Sequence, residues 1–415
     1  MHWFTAVFIA AIALTTVVRL WLSRRHIRYV LANRNAVPPE FEGRIALAAH
    51  QKAADYTAAK TRLGTLETLA AAALLLGFTL GGGLQLLSDA WQRIFEAGGY
   101  AHGIALITSV ALISSVIDLP FALYRTFVIE ARFGFNRTSL ALFFSDLAKQ
   151  AALGALLLVP LVFCFLWLMA RMGALWWLYA WATWVAFSLV VQFLYPTIFV
   201  RWFNKFAPLE DASLRSRIES LLTKCGFRSR GLFVMDGSKR SSHGNAYFTG
   251  FGAAKRIVLF DTLISRLAPP EIEAVLAHEL GHFSRRHVWK RMGLVFGASL
   301  ALLWLLGWLI GREWFFTALG VRSQGTAMAL VLFFMVVPVF TFLLQPLASL
   351  YSRLHEFEAD AYAARHADAR ELVRALVKLY EDNASTLTPD PVHSAFYDSH
   401  PPAVLRIARL QTFQT

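Results

Sequence analysis

Residues 327–350 form a long apolar stretch, AMALVLFFMVVPVFTFLLQPLASL, that indicates the architecture of the whole chain. It contains no charged side chain, and a helix of this length is long enough to span the ~30 Å of hydrocarbon in a bilayer. Six more apolar stretches of comparable length lie at residues 3–22, 66–87, 104–123, 151–170, 174–199 and 292–310. The sequence therefore predicts an all-α multi-pass membrane protein with about seven transmembrane helices.

The composition agrees with a membrane location. Hydrophobic residues make up 57% of the 415 residues and charged residues 16%. Soluble domains usually contain about 45–50% hydrophobic residues and about 25% charged residues. The first apolar stretch lacks a basic segment before it and a small-residue cleavage site after it, so we expect it to remain as a span. The third stretch contains an acid, Asp118, which we expect to be buried.

Basic residues are distributed unequally between alternate loops. Eight Lys and Arg residues lie between positions 24 and 62 and four between 125 and 149, whereas each of the alternate loops carries only one or two. By the positive-inside rule, the N-terminus lies outside and the polar interval 201–291 lies in the cytoplasm. Contact with anionic lipid headgroups accounts for the net charge of +13, so lipids are expected partners and nucleic acid is not.

The chain divides into four predicted regions. These are a membrane block of about five transmembrane helices (1–200), a catalytic region (201–291), a two-helix membrane hairpin (292–350) and a C-terminal region (351–415).

The catalytic region combines helical and strand patterns. Helical spacing covers 214–225, and short strands are predicted at 231–235, 246–249 and 256–260, the last two joined by the turn Gly250-Phe251-Gly252. Pro269-Pro270-Glu271 marks the start of a helix predicted to run from 270 to about 287.

That helix contains His278-Glu279-Leu280-Gly281-His282. Two histidines four residues apart on a helix lie on one face, where both can bind one Zn²⁺ at about 2.0–2.1 Å. Glu279 then lies beside the metal, where a carboxylate accepts the proton of an activated water that attacks a peptide carbonyl. Gly281 costs about 1 kcal/mol relative to Ala in a helix, which indicates a close neighbour. The alternative is a surface helix with exposed histidines, but the flanking residues are apolar.

A catalytic zinc needs a third protein ligand and an open position. Residues 352–362, SRLHEFEADAY, predict a helix in which Glu356 and Asp360 share a face and Glu358 points elsewhere. Glu356 is the predicted third ligand. Asp360 is predicted to accept a hydrogen bond from the ring nitrogen of His278 that does not bind the metal. The alternative is a solvated acidic helix face. Together with the histidine motif, the segment favours one zinc ion per chain as the cofactor.

Longer motifs resemble those of the type I CAAX prenyl proteases, integral-membrane zinc metalloproteases of the gluzincin class. They are FVIEARFGFNR (127–137), GNAYF (244–248), RIVLFDTL (256–263), the zinc helix, EFEADAYA (356–363) and SHPP (399–402) with Arg406. The resemblance implies a seven-helix bundle that encloses an intramembrane chamber, with a small α+β zinc-metalloprotease domain whose site faces the interior.

The resemblance also assigns roles to individual residues. It makes His278, His282 and Glu356 the ligands and Glu279 the general base, the same four that the residues alone indicate. It implies that His400 and Arg406 lie near the scissile carbonyl, where a donor typically stabilises the oxyanion by about 3 kcal/mol. It further implies that one strand pairs with the substrate backbone, namely Asn245, Ala246, Tyr247 and Phe248. Other histidines lack ligand spacing and are expected to be surface or structural residues: His243, His287, His355, His366 and His393.

The expected function is a membrane zinc metalloendopeptidase that hydrolyses bonds near the C-terminus of CAAX-type or similar extended peptides, prenylated or not. The C-terminal residues show no ER-retrieval signal, so we expect a bacterial inner membrane with a cytoplasmic catalytic segment; the ER membrane is the alternative. Two other functions remain open. One is a quality-control protease that degrades misfolded proteins. The other is a non-catalytic zinc-binding scaffold, against which the intact Glu279 argues.

Overall fold

This computed structural model describes residues 2–195, 198–249 and 254–413, which are mostly helical. Within them are seven helical segments long and apolar enough to cross a membrane, so the predicted fold class is confirmed. The segments are Trp3–Ala32, Leu47–Phe78, Tyr100–Glu130, Leu140–Arg171, Gly173–Leu194, His287–Leu309 and Thr326–His366.

Six helices form the N-terminal membrane block. They are α1 (Trp3–Ala32), α2 (Leu47–Phe78), α3 (Gly83–Gln92), α4 (Tyr100–Tyr124), α5 (Leu140–Arg171) and α6 (Trp176–Leu194), and a π-helical segment, Arg125–Glu130, continues α4. The second span ends at Phe78 and not at residue 87 as predicted, because Gly82 adopts φ +79° and starts α3 as a separate helix. The prediction for Asp118 was also wrong, because its side chain on α4 is exposed.

A small α+β region follows the membrane block. In chain order it consists of β1 (Phe206–Pro208), α7 (Ala212–Lys224), β2 (Arg228–Met235), β3 (Ala246–Thr249), β4 (Ala254–Phe260), α8 (Asp261–Ile264) and α9 (Pro269–Ser284). The sheet order is β1-β2-β4-β3, with β2 parallel to β4 and the other pairs antiparallel. Strand β1 was not predicted, because three residues are too few to show an alternating pattern. The predicted turn at residues 250–252 lies outside the described residues.

Strand β3 lies at one edge of this sheet. It pairs with β4 through Tyr247 opposite Val258 and Phe248 opposite Ile257. Successive side chains of a strand point to opposite faces, and the Phe248 ring accordingly packs 5.7 Å from that of Phe283 on α9. The second edge of β3 has no strand partner within the described ranges, so its backbone groups are available for pairing.

The rest of the chain is helical. It contains α10 (His287–Leu309), α11 (Glu313–Thr317), α12 (Thr326–Thr341), α13 (Gln345–His366), α14 (Ala369–Asp382), α15 (Pro391–Tyr397) and α16 (Ala403–Gln411). A 3₁₀ turn at Phe342–Leu344 joins α12 to α13, so the seventh span continues as one helical run of 41 residues. Its final part carries the acidic segment that the sequence analysis selected.

Helix α9 lies at the centre of the core of the α+β region. Its Ala274, Leu276 and Leu280 side chains are fully buried, and it packs against α13, α14 and α7. The alternative of a surface helix is therefore excluded. The helix ends at Ser284, three residues earlier than predicted, because Arg286 adopts the left-handed conformation (φ 55°, ψ 33°) and turns the chain into α10.

Candidate metal centre

Three side chains from two helices converge at one point. Helix α9 contributes His278 and His282, and α13 contributes Glu356. The two histidine Nε2 atoms lie 3.3 Å apart. The Glu356 Oε2 atom lies 3.4 Å from Nε2 of His278, and its Oε1 atom lies 3.4 Å from Nε2 of His282. These residues form a group of ligand atoms within 4.8 Å of one another.

This spacing fits a zinc ion. Ligands at about 2.0–2.1 Å in a tetrahedron stand about 3.3–3.4 Å from one another, which matches the distance between the two histidine nitrogens and the distance from each of them to one oxygen of Glu356. Glu356 is only 3% exposed, and its Oε2 atom has no hydrogen-bond partner among the described residues. Buried polar atoms are normally satisfied, so the orphaned oxygen indicates an ion. The donor set of two imidazoles and a carboxylate is also that of catalytic zinc sites.

Asp360 contacts the outer nitrogen of one candidate ligand. Its Oδ1 atom lies 2.8 Å from Nδ1 of His278, and its side chain is 1% exposed. The buried guanidinium of Arg406 donates from Nε and Nη2 to Asp360 at 2.9 and 2.6 Å. Arg406 Nη1 also lies 3.8 Å from Oε2 of Glu356. The charge of Arg406 therefore lies close to the ligand carboxylate.

His400 lies on the open side of the centre. Its side chain is 60% exposed, and its Nε2 atom lies 3.5 Å from Oε1 of Glu356. The hydroxyl of Ser399 lies 3.0 Å from its Nδ1 atom. A molecule at the metal position can therefore reach the His400 imidazole, whereas Arg406 is buried.

Glu279 lies between the two histidines in the sequence and does not belong to the ligand group. Burial raises the pKa of its carboxyl, although the neighbouring His278 acts in the opposite direction. A carboxylate with a raised pKa is a stronger base, better matched to proton transfer near neutral pH. The Glu279 side chain thus has the electrostatic property that a general base requires.

The two histidines carry different charges in the metal-free protein. Burial and the neighbouring His278 lower the pKa of His282 to about 3. Burial would also lower the pKa of His278, but the adjacent carboxylates of Asp360 and Glu356 raise it to about 9. His282 is therefore neutral and ready to bind a metal at neutral pH, whereas His278 must first lose a proton.

We expect zinc binding to release close to one proton at pH 6. Below pH 9 the proton on His278 competes with the metal, so the apparent zinc affinity should rise about tenfold per pH unit and level off above that value. His282 contributes no proton in this range. Calorimetric titration in buffers of different ionisation enthalpy measures the release, with Glu279→Gln as a control for protons lost by a bound water. Release near zero in both proteins would contradict the charge assigned to His278.

Gly281 lies where the two metal-binding helices touch. A Cβ atom at this position would meet the Cα of Ala359 at 2.9 Å and the Cβ of Tyr362 at 3.0 Å. The prediction of a close neighbour is confirmed, because only a residue without a side chain lets α9 approach α13 this closely.

Gly281→Ala should therefore separate α9 from α13 and weaken the metal site. Overpacking of a tight contact typically costs about 1–3 kcal/mol of folding stability. Moving the two helices apart would also lengthen the distance between His282 and Glu356. Thermal unfolding and zinc content measure the two effects. Gly297→Ala on α10 is the matched control, because a Cβ there meets no atom within 4 Å. Equal zinc retention by both variants would show that this contact does not set the site geometry.

The sequence analysis missed one contact of the centre. His287, classed with the surface or structural histidines, is 1% exposed, and its Nδ1 atom lies 2.9 Å from Nδ1 of His282. Its Nε2 atom lies 2.9 Å from Oε2 of Glu358. No spacing signal could reveal this, because His287 lies outside α9 and only the left-handed Arg286 brings it back to the site.

Comparison with known proteins agrees with this site and fold. A family model described as "CAAX prenyl protease N-terminal, five membrane helices" matches residues 26–205. A second, described as "Peptidase family M48", matches residues 208–414.

Relatives match over most of the chain. The probable CAAX prenyl protease 1 of Schizosaccharomyces pombe is 33% identical over 401 residues, which cover 94% of this chain and 84% of the relative. The CAAX prenyl protease 1 homolog of Homo sapiens is 30% identical over 459 residues, which cover 98% of this chain and 96% of the relative. Among solved structures, the crystal structure of S. mikatae Ste24p superposes with a TM-score of 0.91 at 29% identity and covers 99% of both chains.

A metal centre on helices that continue from membrane spans defines an integral-membrane zinc metalloendopeptidase. The chain belongs to the CAAX prenyl protease family, within peptidase family M48. The predicted family, enzyme class and zinc cofactor are thereby confirmed.

Proposed function

We propose that the protein hydrolyses a peptide bond near the C-terminus of CAAX-type proteins, which it binds as an extended chain. The observation that carries this proposal is the group of two histidine nitrogens and the Glu356 carboxylate, with N–N and N–O distances of 3.3–3.4 Å. The helix that carries the histidines contacts an edge strand that has no second strand partner in the described residues. The printed names of the relatives, CAAX prenyl proteases, suggest the substrate class.

In the proposed reaction His278, His282 and Glu356 hold zinc. When bound, zinc supplies a water of lowered pKa and an electrophile for the substrate carbonyl. The Glu279 carboxylate takes the proton of the attacking water as its oxygen bonds to the carbonyl carbon. It then gives that proton to the leaving amine as the C–N bond breaks.

His400 and Arg406 support the reaction in different ways. The exposure of His400 suits a side chain that donates a hydrogen bond to the developing oxyanion. Arg406 has its Nε and Nη2 groups on Asp360, so we propose that it acts mainly through Asp360 and Glu356. Arg406→Lys should then weaken zinc binding as well as turnover. Loss of turnover with unchanged zinc affinity would instead favour direct contact with the scissile carbonyl.

The substrate backbone is proposed to pair with Asn245, Ala246, Tyr247 and Phe248, of which the last three lie on the outer edge of β3 and Asn245 directly precedes the strand. Main-chain hydrogen bonds along such an edge set the register of an extended peptide and are insensitive to its side chains. The Phe248–Phe283 contact ties the strand to α9, so a peptide on this edge would be held at a fixed distance from the metal centre.

Access to the centre is proposed to run through a water-filled chamber between the spans. Except in the seventh span, only 11–28% of the residues in the most apolar part of each span are buried, which leaves room for an open interior between the helices. The exposed Asp118 forms no ion pair within the described residues, and a carboxylate facing lipid would be costly. An interior filled with water explains both observations.

The catalytic region is proposed to lie in the cytoplasm of a bacterial cell, with the spans in the inner membrane among anionic lipids. The excess of basic residues in the loops between positions 24 and 62 and between 125 and 149 supports the cytoplasmic side. The same lipid contact removes the need for nucleic acid to balance the positive charge. Reporter fusions in residues 89–103 and 201–290 test the topology, and finding the second segment outside would overturn it.

Cleavage of one peptide in prenylated and unprenylated form tests the substrate class. We expect the prenylated copy to be cleaved with a kcat/KM at least about tenfold higher, because burial of a lipid tail contributes about 0.8 kcal/mol per CH₂ group. Glu279→Gln is the control for contaminating proteases. Equal rates for both copies would remove the prenyl group from the proposal, and preferential cleavage of unfolded proteins would favour the quality-control function.

A further inference from the structure

The second candidate zinc ligand, His282, is connected to a carboxylate through another imidazole. His278 contacts Asp360 directly, at 2.8 Å. His282 instead contacts His287, with 2.9 Å between the two Nδ1 atoms, and the far nitrogen of His287 lies 2.9 Å from Glu358. Each histidine of the centre is therefore connected to a carboxylate of α13. His278 contacts Asp360 directly, and His282 is connected to Glu358 through His287, an arrangement we call the relay.

Only one arrangement of protons satisfies this relay when both imidazoles are neutral. The Nε2 atom of His282 faces the metal position and must be unprotonated to bind zinc, so the proton of His282 lies on Nδ1. That N–H group can donate to His287 only if Nδ1 of His287 is unprotonated. The proton of His287 then lies on Nε2 and is donated to the Glu358 carboxylate, which can only accept.

The fold holds His287 in this position. Its side chain is almost completely buried, and its ring stacks on that of His355 with 4.0 Å between centroids and 9° between planes. The left-handed Arg286 that precedes it is an uncommon conformation for a residue other than glycine. Strain of this kind persists only where surrounding contacts impose it, and the contact that it makes possible is the one with His282.

We propose that His287 and Glu358 are positioning residues for zinc. They fix the proton of His282 on Nδ1, orient its ring and increase its electron donation to the metal. A carboxylate or carbonyl bonded to the outer nitrogen of a ligand histidine commonly changes metal affinity by 10–100-fold. Here an imidazole transmits that effect from Glu358. The inference rests on the proposed role of His282 as a ligand.

Zinc release to an excess of a colorimetric chelator tests the proposal on the purified full-length protein. His287→Phe keeps a ring against His355 but removes both hydrogen bonds, and should accelerate release by about 10–100-fold. His287→Gln can accept from His282 and donate to Glu358, so it should restore most of the wild-type rate. His366→Phe is the matched control, because His366 contacts the Tyr362 carbonyl and not the centre. It should release zinc at the wild-type rate.

A spectroscopic measurement separates positioning from a general loss of stability. In the Co²⁺-substituted protein, His287→Phe should shift the visible absorption of the bound ion, whereas His366→Phe should not. Glu358 is 47% exposed, so Glu358→Ala should fold even if His287→Phe does not, and it too should accelerate zinc release. An unchanged release rate in Glu358→Ala or in folded His287→Phe overturns the proposal, as does failure of His287→Gln to restore it. If His282→Ala retains zinc, the ligand assignment itself is wrong.

Discussion

Glu279→Gln is expected to retain stoichiometric zinc and to lose about 10²–10⁴-fold in kcat, the range for removal of a general base. This loss equals about 3–5 kcal/mol of transition-state stabilisation. The amide has nearly the shape of the carboxylate but cannot take up a proton. Zinc should remain, because the ligand group consists of other side chains. Elemental analysis and single-turnover cleavage of a prenylated peptide measure the two quantities.

Glu273→Gln is the matched control for this variant. Glu273 lies on the same helix but pairs with Arg217 at the side of α9, so the same chemical change there should leave cleavage unaffected. Wild-type turnover by purified Glu279→Gln would refute the proposed role of this carboxylate. Loss of zinc from the variant would show instead that Glu279 contributes to metal binding.

Glu356→Ala is expected to lose both zinc and activity. A zinc site worth about 10–16 kcal/mol and shared among three or four ligands implies about 3 kcal/mol per ligand, or about 100-fold or more in affinity. The change also removes the carboxylate that faces Arg406 at 3.8 Å, which leaves more positive charge beside the metal position. His278→Ala should show the same double loss.

Zinc content after dialysis against a weak chelator, together with cleavage, measures this effect. Glu381→Ala on α14 is the control, because its side chain is exposed. Thermal unfolding of the metal-free proteins distinguishes loss of a ligand from loss of the fold. If Glu356→Ala binds zinc as tightly as the wild-type protein, the third ligand lies elsewhere.

Much of the centre could be predicted because its signals are local. His278 and His282 are one helical turn apart, and the two acids Glu356 and Asp360 are also one turn apart, so helical periodicity alone places each pair on one face. The apolar spans are equally local, since a hydrocarbon layer of fixed thickness requires stretches of fixed length. Errors arose at boundaries, as at Phe78, where a positive φ at Gly82 decides the end of a helix.

Contacts between distant segments could not be predicted in the same way. The contact of His287 with His282 depends on a left-handed residue between two helices, so spacing along one helix gives no sign of it. Only the family resemblance indicates Arg406 in the sequence, and its salt bridge with Asp360 forms only when α16 packs beside α13. Both contacts join side chains whose separation along the chain carries no periodic signal.

Local features of the sequence are enough to predict that this chain crosses a membrane and carries the residues of a zinc peptidase. The stretch 327–350 forms the apolar part of the seventh span, and the histidine motif identifies the metal, because hydrophobic length and helical spacing are properties of short segments. The way in which these segments meet depends on the packing of the folded chain. The seventh span runs on into α13 and brings Glu356 to the histidines, and the missing side chain of Gly281 lets the helices touch. Close packing depends on both partners at once, so neither segment alone encodes it.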